Sequence, residues 1–84
     1  MLYRILTENK NYSDVKARAS TLFPDGFTII KAEGHFQGVS EHSLILEIVT
    51  DDEDQVRRLA FWVRKHNRQK TVMIQRIYCD VENI

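Results

Sequence analysis

The chain has 84 residues, of which 43% are hydrophobic, and its 12 basic and 12 acidic side chains give a formal net charge of zero. This length fits one domain over residues 1–84 with a small core, which self-association commonly supplements. The balanced charge argues against a dedicated nucleic-acid binder, and no stretch is apolar enough for a membrane span. The single cysteine, Cys79, cannot form an intrachain disulfide, and no signal-peptide pattern is present, so we predict a cytoplasmic protein.

The first third of the chain reads as a strand followed by a helix. Residues Leu2 to Thr7 are rich in strand-forming types, and a polar turn follows in which Asn11 or Ser13 is expected to cap the helix. Apolar residues then recur at helical spacing, which predicts a buried stripe formed by Val15, Ala19, Leu22 and Phe23.

All three glycines and the only proline fall within residues 23–38, FPDGFTIIKAEGHFQG. Pro24 lacks a backbone donor and is expected to end the helix, with Gly26 in the following turn. Phe27 to Phe36 then reads as a strand in which Gly34 marks a bulge or a close backbone approach. We predict a hairpin loop over residues 37–42 and a return strand from Ser43 to Thr50.

The second helix begins at the acidic run after Thr50, where the helix dipole favours negative charge, and it ends in a basic run. Its predicted buried stripe is Val56, Leu59, Ala60 and Val63. A last strand is expected from Thr71 to about Val81. The order β-α-β-β-α-β predicts an α+β, ferredoxin-like sandwich, with two helices on one face of a four-stranded antiparallel sheet.

Alternation along each strand assigns the two faces of the predicted sheet. Facing the helices, we expect Tyr3, Ile5, Ile30, Ala32, Phe36, Leu44, Leu46 and Ile48. The open face should then be mixed, with Leu2, Arg4, Leu6, Ile29, Lys31, Glu33, His35, Ile45, Glu47, Val49, Arg76 and Tyr78. Mixed faces of this kind often form subunit interfaces, so we predict a homo-oligomer that assembles through the open face.

The candidate ligand-binding residues lie on this face and around the hairpin. They are Arg4, Lys31, Glu33, His35, Glu41, Ser43, Glu47 and Arg76. Two guanidinium groups around the Glu47 carboxylate could hold an anion, and a cross-strand ladder of ion pairs is the alternative interpretation. Glu41 and Ser43 could line a pocket near Glu8 to Lys10, or could cap loop amides.

Other chemistry-bearing residues give weaker patterns. His35, His42 and Glu41 match no standard metal-site spacing, so we predict no metal and no cofactor. Cys79 is interpreted as a small apolar filler. The basic residues of the second helix and the following loop fit a solvated face as well as a phosphate contact, and nucleic acid is not an expected partner.

The sequence also carries a recognisable core pattern. It comprises Phe23-Pro24-Asp25-Gly26, Thr28, Gly34, Gly38, Glu41 and Ser43, followed by Asn67, Gln69 and Val72. Over roughly residues 20–75 this pattern resembles a family of small uncharacterised phage and bacterial proteins with an FPDG-T…G-x-F-x-G…E-x-S core. The resemblance implies a ferredoxin-like domain and a phage origin, and it implies no biochemical activity.

Two functions remain open at this point. The first is a small binding module, with a small anionic ligand or a host protein as partner. The alternative is a small enzyme with a site between subunits, in which Glu33, Glu41 or Glu47 acts as a base beside His35. We favour binding over catalysis, because the sequence contains no catalytic constellation.

Overall fold

A computed structural model describes all residues 1–84. Its six elements are β1 (Leu2–Glu8), α1 (Tyr12–Leu22), β2 (Thr28–Phe36), β3 (Val39–Val49), α2 (Glu53–His66) and β4 (Met73–Ile77). The four strands form one antiparallel sheet in the order β2-β3-β1-β4, so that β2 and β4 are the edge strands. This arrangement confirms the predicted ferredoxin-like fold.

The core lies between the two helices and one face of the sheet. Val15 and Ala19 of α1 and the predicted stripe of α2 are buried with Tyr3, Ile5, Leu46 and Ile48 of the two central strands. The helical and strand periodicities of these segments therefore identified the core correctly. No helix is long and apolar enough to cross a membrane.

The helix ends follow local chemistry, with one exception. The side chain of Asp52, in the acidic run, accepts a hydrogen bond from the Gln55 backbone N–H at 3.1 Å and so caps α2. At the start of α1, Asn11 has a positive φ of 53° and its side chain makes no capping bond, so the predicted cap is wrong. The Asn11 amide instead donates to the Asn67 side chain at 2.9 Å, across to the loop that follows α2.

The β2–β3 hairpin is tighter than predicted. Gln37 and Gly38 both have positive φ, 51° and 78°, which is the geometry of a two-residue hairpin turn. Phe36 pairs with Val39, so the strands run up to the turn and the predicted loop over residues 37–42 is wrong. Gly34 lies in regular pairing with Glu41, without a bulge. It does permit a close approach, since a Cβ there would lie 2.7 Å from the Ser43 hydroxyl.

The register corrects the predicted faces of β2 and β4. Ile29 pairs with the buried Leu46 and Arg76 pairs with the buried Tyr3, so both lie on the helix side of the sheet. Ile30 pairs with Ile45 and therefore lies on the side away from the helices, contrary to the prediction. The face assignments of β1 and β3 are confirmed. The last strand is also shorter than predicted, ending at Ile77.

With this register, the open face is far more apolar than expected. We use this name for the sheet surface away from the helices, formed by Leu2, Arg4, Leu6, Glu8, Thr28, Ile30, Ala32, Gly34, Phe36, Val39, Glu41, Ser43, Ile45, Glu47, Val49, Met73, Gln75 and Ile77. Phe36, Val39 and Met73 are 65%, 60% and 56% exposed. Its charged residues are Arg4, Glu8, Glu41 and Glu47, of which Glu8 and Glu41 lie at the hairpin end of the sheet.

Candidate functional site

The predicted cluster of Arg4, Glu47 and Arg76 does not form. The Nε of Arg4 donates to the Glu47 carboxylate at 2.8 Å on the open face. Arg76 lies on the opposite side of the sheet, where its Nε donates to the Glu53 carboxylate at the start of α2. The sheet therefore separates the two guanidinium groups, and they cannot hold one anion between them.

Arg76, Glu53 and Tyr3 form a polar group at the edge of the core. The hydrogen bond and charge of Arg76 lower the pKa of Glu53, and the same hydrogen bond raises the pKa of Arg76. Burial raises the pKa of Tyr3, and the nearby Glu53 charge adds to the effect. This group fixes the start of α2 on the sheet, because its charges are paired within the chain.

Lys31 is also on the helix side, where its ammonium lies 4.6 Å from the centre of the Tyr12 ring of α1. This is a cation–π contact between an edge strand and a helix. The prediction that Lys31 faces outward with Arg4 is therefore wrong. Of the predicted cations, only Arg4 lies on the open face.

The side chains of the hairpin do not assemble an acid–base pair. His35 Nε2 lies 3.9 Å from Glu33, beyond hydrogen-bond distance, and His35 Nδ1 lies 3.4 Å from the Ser40 hydroxyl. Both His35 and Glu33 are more than half exposed. By register, His35 lies on the helix side of the sheet, whereas Glu41 and Glu47 lie on the open face. Within one chain, His35 is thus a partner for neither of those carboxylates.

Glu33, Glu41 and Ser43 do come together at the end of the sheet. Glu41 and Ser43 lie on the open face, Glu33 lies on the helix side contrary to the prediction, and all three border a groove of about 640 Å³, which we call the hairpin groove. Its walls are the β2–β3 hairpin on one side and residues 68–73 on the other, and the end of β1 forms its floor. Its charged residues are Glu8, Lys10, Glu33, Glu41, Arg68 and Lys70.

Two cations of the hairpin groove, Arg68 and Lys70, belong to the basic run for which the sequence left a solvated face or a phosphate contact open, and they were not among the candidate ligand-binding residues. Glu8 and Lys10 form an ion pair at 2.9 Å, whereas Arg68 and Lys70 form none. The predicted topology could have placed Arg68 and Lys70 beside the hairpin, because the end of β1, the hairpin and the start of β4 all lie at one end of a β-α-β-β-α-β sheet. The loop before β4 therefore had to face the hairpin. The positive φ of Arg68, 54°, shapes this loop.

No family model and no curated protein matches the chain. Among solved structures, the chain is similar to a phage SAM lyase in its apo state, with a TM-score of 0.68 and 18% identity over 87% of this chain and 75% of that chain. It is also similar to CPII, a nitrogen regulatory PII-like protein from Thiomonas intermedia K12 bound to ADP, AMP and bicarbonate, with a TM-score of 0.62 and 12% identity over 88% of this chain and 82% of that one. These likenesses agree with the ferredoxin-like fold.

Proposed function

We propose that this chain is a small homo-oligomeric binding module that assembles through its open face and binds a small anionic ligand in the hairpin groove. The observation that carries the proposal is the apolar character of the open face in all four strands. Continuous exposed apolar surface of this kind marks interaction sites in soluble proteins. A second copy is the favoured partner, because an 84-residue core gives a thin margin of stability that assembly increases.

The charges of the open face support assembly rather than a solvated surface. Arg4 and Glu47 neutralise each other across neighbouring strands and Glu8 pairs with Lys10, so Glu41, at the exposed hairpin end, is the one charge of this face without an ion pair. A host protein is the other partner that this surface could accept. The resemblance to small phage proteins remains a prediction, and the fold shared with a phage lyase is in keeping with it.

The hairpin groove supports the ligand part of the proposal. Its volume falls in the range of small-molecule sites, roughly 300–1,000 Å³. Arg68 and Lys70 supply two cations without ion-pair partners, and Ser43 supplies a hydroxyl. The two structural neighbours are named for adenosine compounds, one as a lyase of SAM and one bound to ADP and AMP. ADP, AMP and SAM are therefore the first probes to use.

The assembly is tested by measuring the mass in solution by light scattering on a size-exclusion column. We expect an oligomer for the natural chain and a smaller mass for Ile45→Arg, since the new charge would lie in the open-face interface. Ala17→Arg, at an exposed position of α1, is the matched control and should leave the mass unchanged. A natural chain that is monomeric would refute homo-oligomer assembly and would leave a host protein as the partner of the open face.

Ligand binding is tested by titration calorimetry with ADP, AMP and SAM. Arg68→Ala and Lys70→Ala should each weaken binding about tenfold if the cations contact the anionic group, as expected for a charge-assisted hydrogen bond. Arg58→Ala, an exposed cation of α2 outside the groove, should have no effect. The ligand part of the proposal is wrong if none of the three probes binds, or if the groove variants bind as tightly as the natural chain.

A second candidate is a small enzyme with its site between subunits. Glu47 favours it, because this carboxylate lies within the apolar open face and assembly would remove it from water. A carboxylate held in such an interface can act as a general base on a ligand bound beside it. Incubation with SAM followed by chromatography tests for turnover, and Glu47→Gln should abolish it. Turnover that survives in Glu47→Gln would exclude Glu47 as the base.

A further inference from the structure

On the helix side of the sheet, a cleft of about 280 Å³ separates α2 from β4. We call it the basic cleft, because Arg57, Arg64, Lys70 and Arg76 line it around the ring of Phe61. Arg57 and Arg64 lie 5.5 and 5.3 Å from the centre of that ring, which is 51% exposed. Arg76 pairs with Glu53, whereas the other three cations form no ion pair. The basic cleft thus contains three cations without an ion-pair partner and an exposed aromatic ring.

The basic cleft lies beside an open sheet edge. β4 pairs only with β1, so the backbone groups along its other side have no partner strand. Such an edge accepts an added strand, whose main chain forms the hydrogen bonds while alternate side chains face each side of the sheet. A strand added at β4 would place every second side chain toward the basic cleft.

Residues 78–84, YCDVENI, follow β4 and form no helix or strand. Tyr78 is 82% exposed and Val81 is 55% exposed. Asp80 and Glu82 form no ion pair, although three cations of the basic cleft also have none. In an extended conformation Tyr78, Asp80 and Glu82 share one side, and Cys79 and Val81 share the other. The segment is therefore acidic and aromatic on one side and apolar on the other.

We propose that residues 78–84 of a second copy add along the β4 edge, with Asp80 and Glu82 in the basic cleft. Tyr78 then lies on the same side as Phe61, while Cys79 and Val81 extend the apolar open face beyond Met73 and Ile77. The occupant is a second copy, because the segment leaves β4 at the end away from Lys70 and none of its residues lines its own cleft. This contact shares Lys70 with the hairpin groove, but it requires neither a ligand in that groove nor assembly through the open face.

Complementary charge reversal in the full-length chain tests the proposal. All variants carry Ile45→Arg, so that self-association through the open face does not contribute. One chain also carries Arg57→Glu and Arg64→Glu, and the other carries Asp80→Lys and Glu82→Lys. Sedimentation equilibrium gives the association constant of each chain alone and of the equimolar mixture. A matched control carries Arg58→Glu and Lys65→Glu, the same change of charge on α2 outside the basic cleft.

We expect each charge-reversed chain to associate about tenfold more weakly than its parent, as the loss of two ion pairs predicts. Association should return in the mixture, where each segment meets a cleft of opposite charge, and the control should match the parent. The proposal is overturned if the parent does not associate through any surface, if neither variant is weakened, or if the mixture stays dissociated. Circular dichroism checks that each chain folds, and Arg57→Gln with Arg64→Gln replaces the reversal if it does not. Failure here leaves the open-face proposal intact, since that assembly is measured separately with Ile45→Arg alone.

Discussion

Asn67 holds together the two loops that flank the hairpin groove. It is 4% exposed, and its side-chain amide donates to the Lys10 carbonyl at 3.2 Å and to the Gln69 side chain at 3.3 Å. Its side-chain oxygen accepts from the Asn11 amide at 2.9 Å. These bonds join the loop after β1 to the loop after α2. Replacing Asn67 by alanine should therefore both destabilise the fold and loosen one wall of the groove.

The size of the effect follows from the bonds that are lost. Each hydrogen bond contributes about 0.5–1.5 kcal/mol net, and the buried groups that bonded to Asn67 would be left without a hydrogen-bond partner. Asn67→Ala should therefore lower the free energy of unfolding by about 2–3 kcal/mol. At roughly 0.05–0.15 kcal/mol per residue, a domain of this length has a total stability of about 4–12 kcal/mol. The substitution should thus lower the melting temperature by about 10–20 °C.

Urea denaturation followed by circular dichroism measures the free energy of unfolding directly, and a thermal melt gives the shift in midpoint. Asn83→Ala is the control, because Asn83 is exposed and makes no side-chain hydrogen bond. Asn67→Asp keeps the acceptor but buries a carboxylate against two acceptor oxygens, so at neutral pH its loss of stability should be at least as large as that of Asn67→Ala. If Asn67→Ala stays within about 0.5 kcal/mol of the natural chain, the network does not hold the loops and the reasoning fails.

Three further predictions rest on single contacts. Gly34→Ala should lower the free energy of unfolding by about 1 kcal/mol, because the added Cβ would lie 2.7 Å from the Ser43 hydroxyl. Adding Ser43→Ala should restore stability to urea, whereas losses that simply add in the double variant would contradict this. Since burial raises the pKa of Tyr3 above 10.0, the free energy of unfolding should fall as pH rises above 10.0, and Tyr3→Phe should remove this fall; an alkaline profile that Tyr3→Phe leaves unchanged would be evidence against it. Because Arg76 lowers the pKa of Glu53 below 4.5, the Glu53–Arg76 pair stabilises the fold above pH 4.5, and this stabilisation is lost as pH falls through the lowered pKa. Glu53→Gln should therefore flatten the acid side of the stability profile, and an unchanged profile would refute this.

The fold was predictable because the apolar residues of its helices and strands recur with helical spacing and strand alternation, respectively. The buried residues of α2 recur at helical spacing, and Leu44, Leu46 and Ile48 alternate along β3. Both patterns describe segments that contact the core along most of their length. The turn after α1 was equally readable, since Pro24 cannot continue a helix and Gly26 adopts a positive φ of 135°.

The candidate site was only partly predictable. The hairpin turn was missed because Gln37, at positive φ, is not a residue type that marks such a turn, and the error placed Glu41 and His42 in a loop rather than on β3. Glu41 and Ser43 nevertheless border the groove, as does Glu33. Arg76 was misplaced because an edge strand of five residues carries too little alternation to assign its faces.

The inverted faces of β2 have a cause that bears on function. Assigning the more apolar side of a strand to the core placed Ile30, Ala32 and Phe36 inward, yet these residues face away from the helices. The rule fails where the side away from the helices is itself apolar, while the helix side carries Lys31 and Glu33. A strand with this pattern is buried on its apolar side only when something covers the open face. The alternation of β2 is therefore what an assembled sheet requires, and Ile45→Arg, which replaces the residue paired with Ile30, is the substitution that tests it most directly.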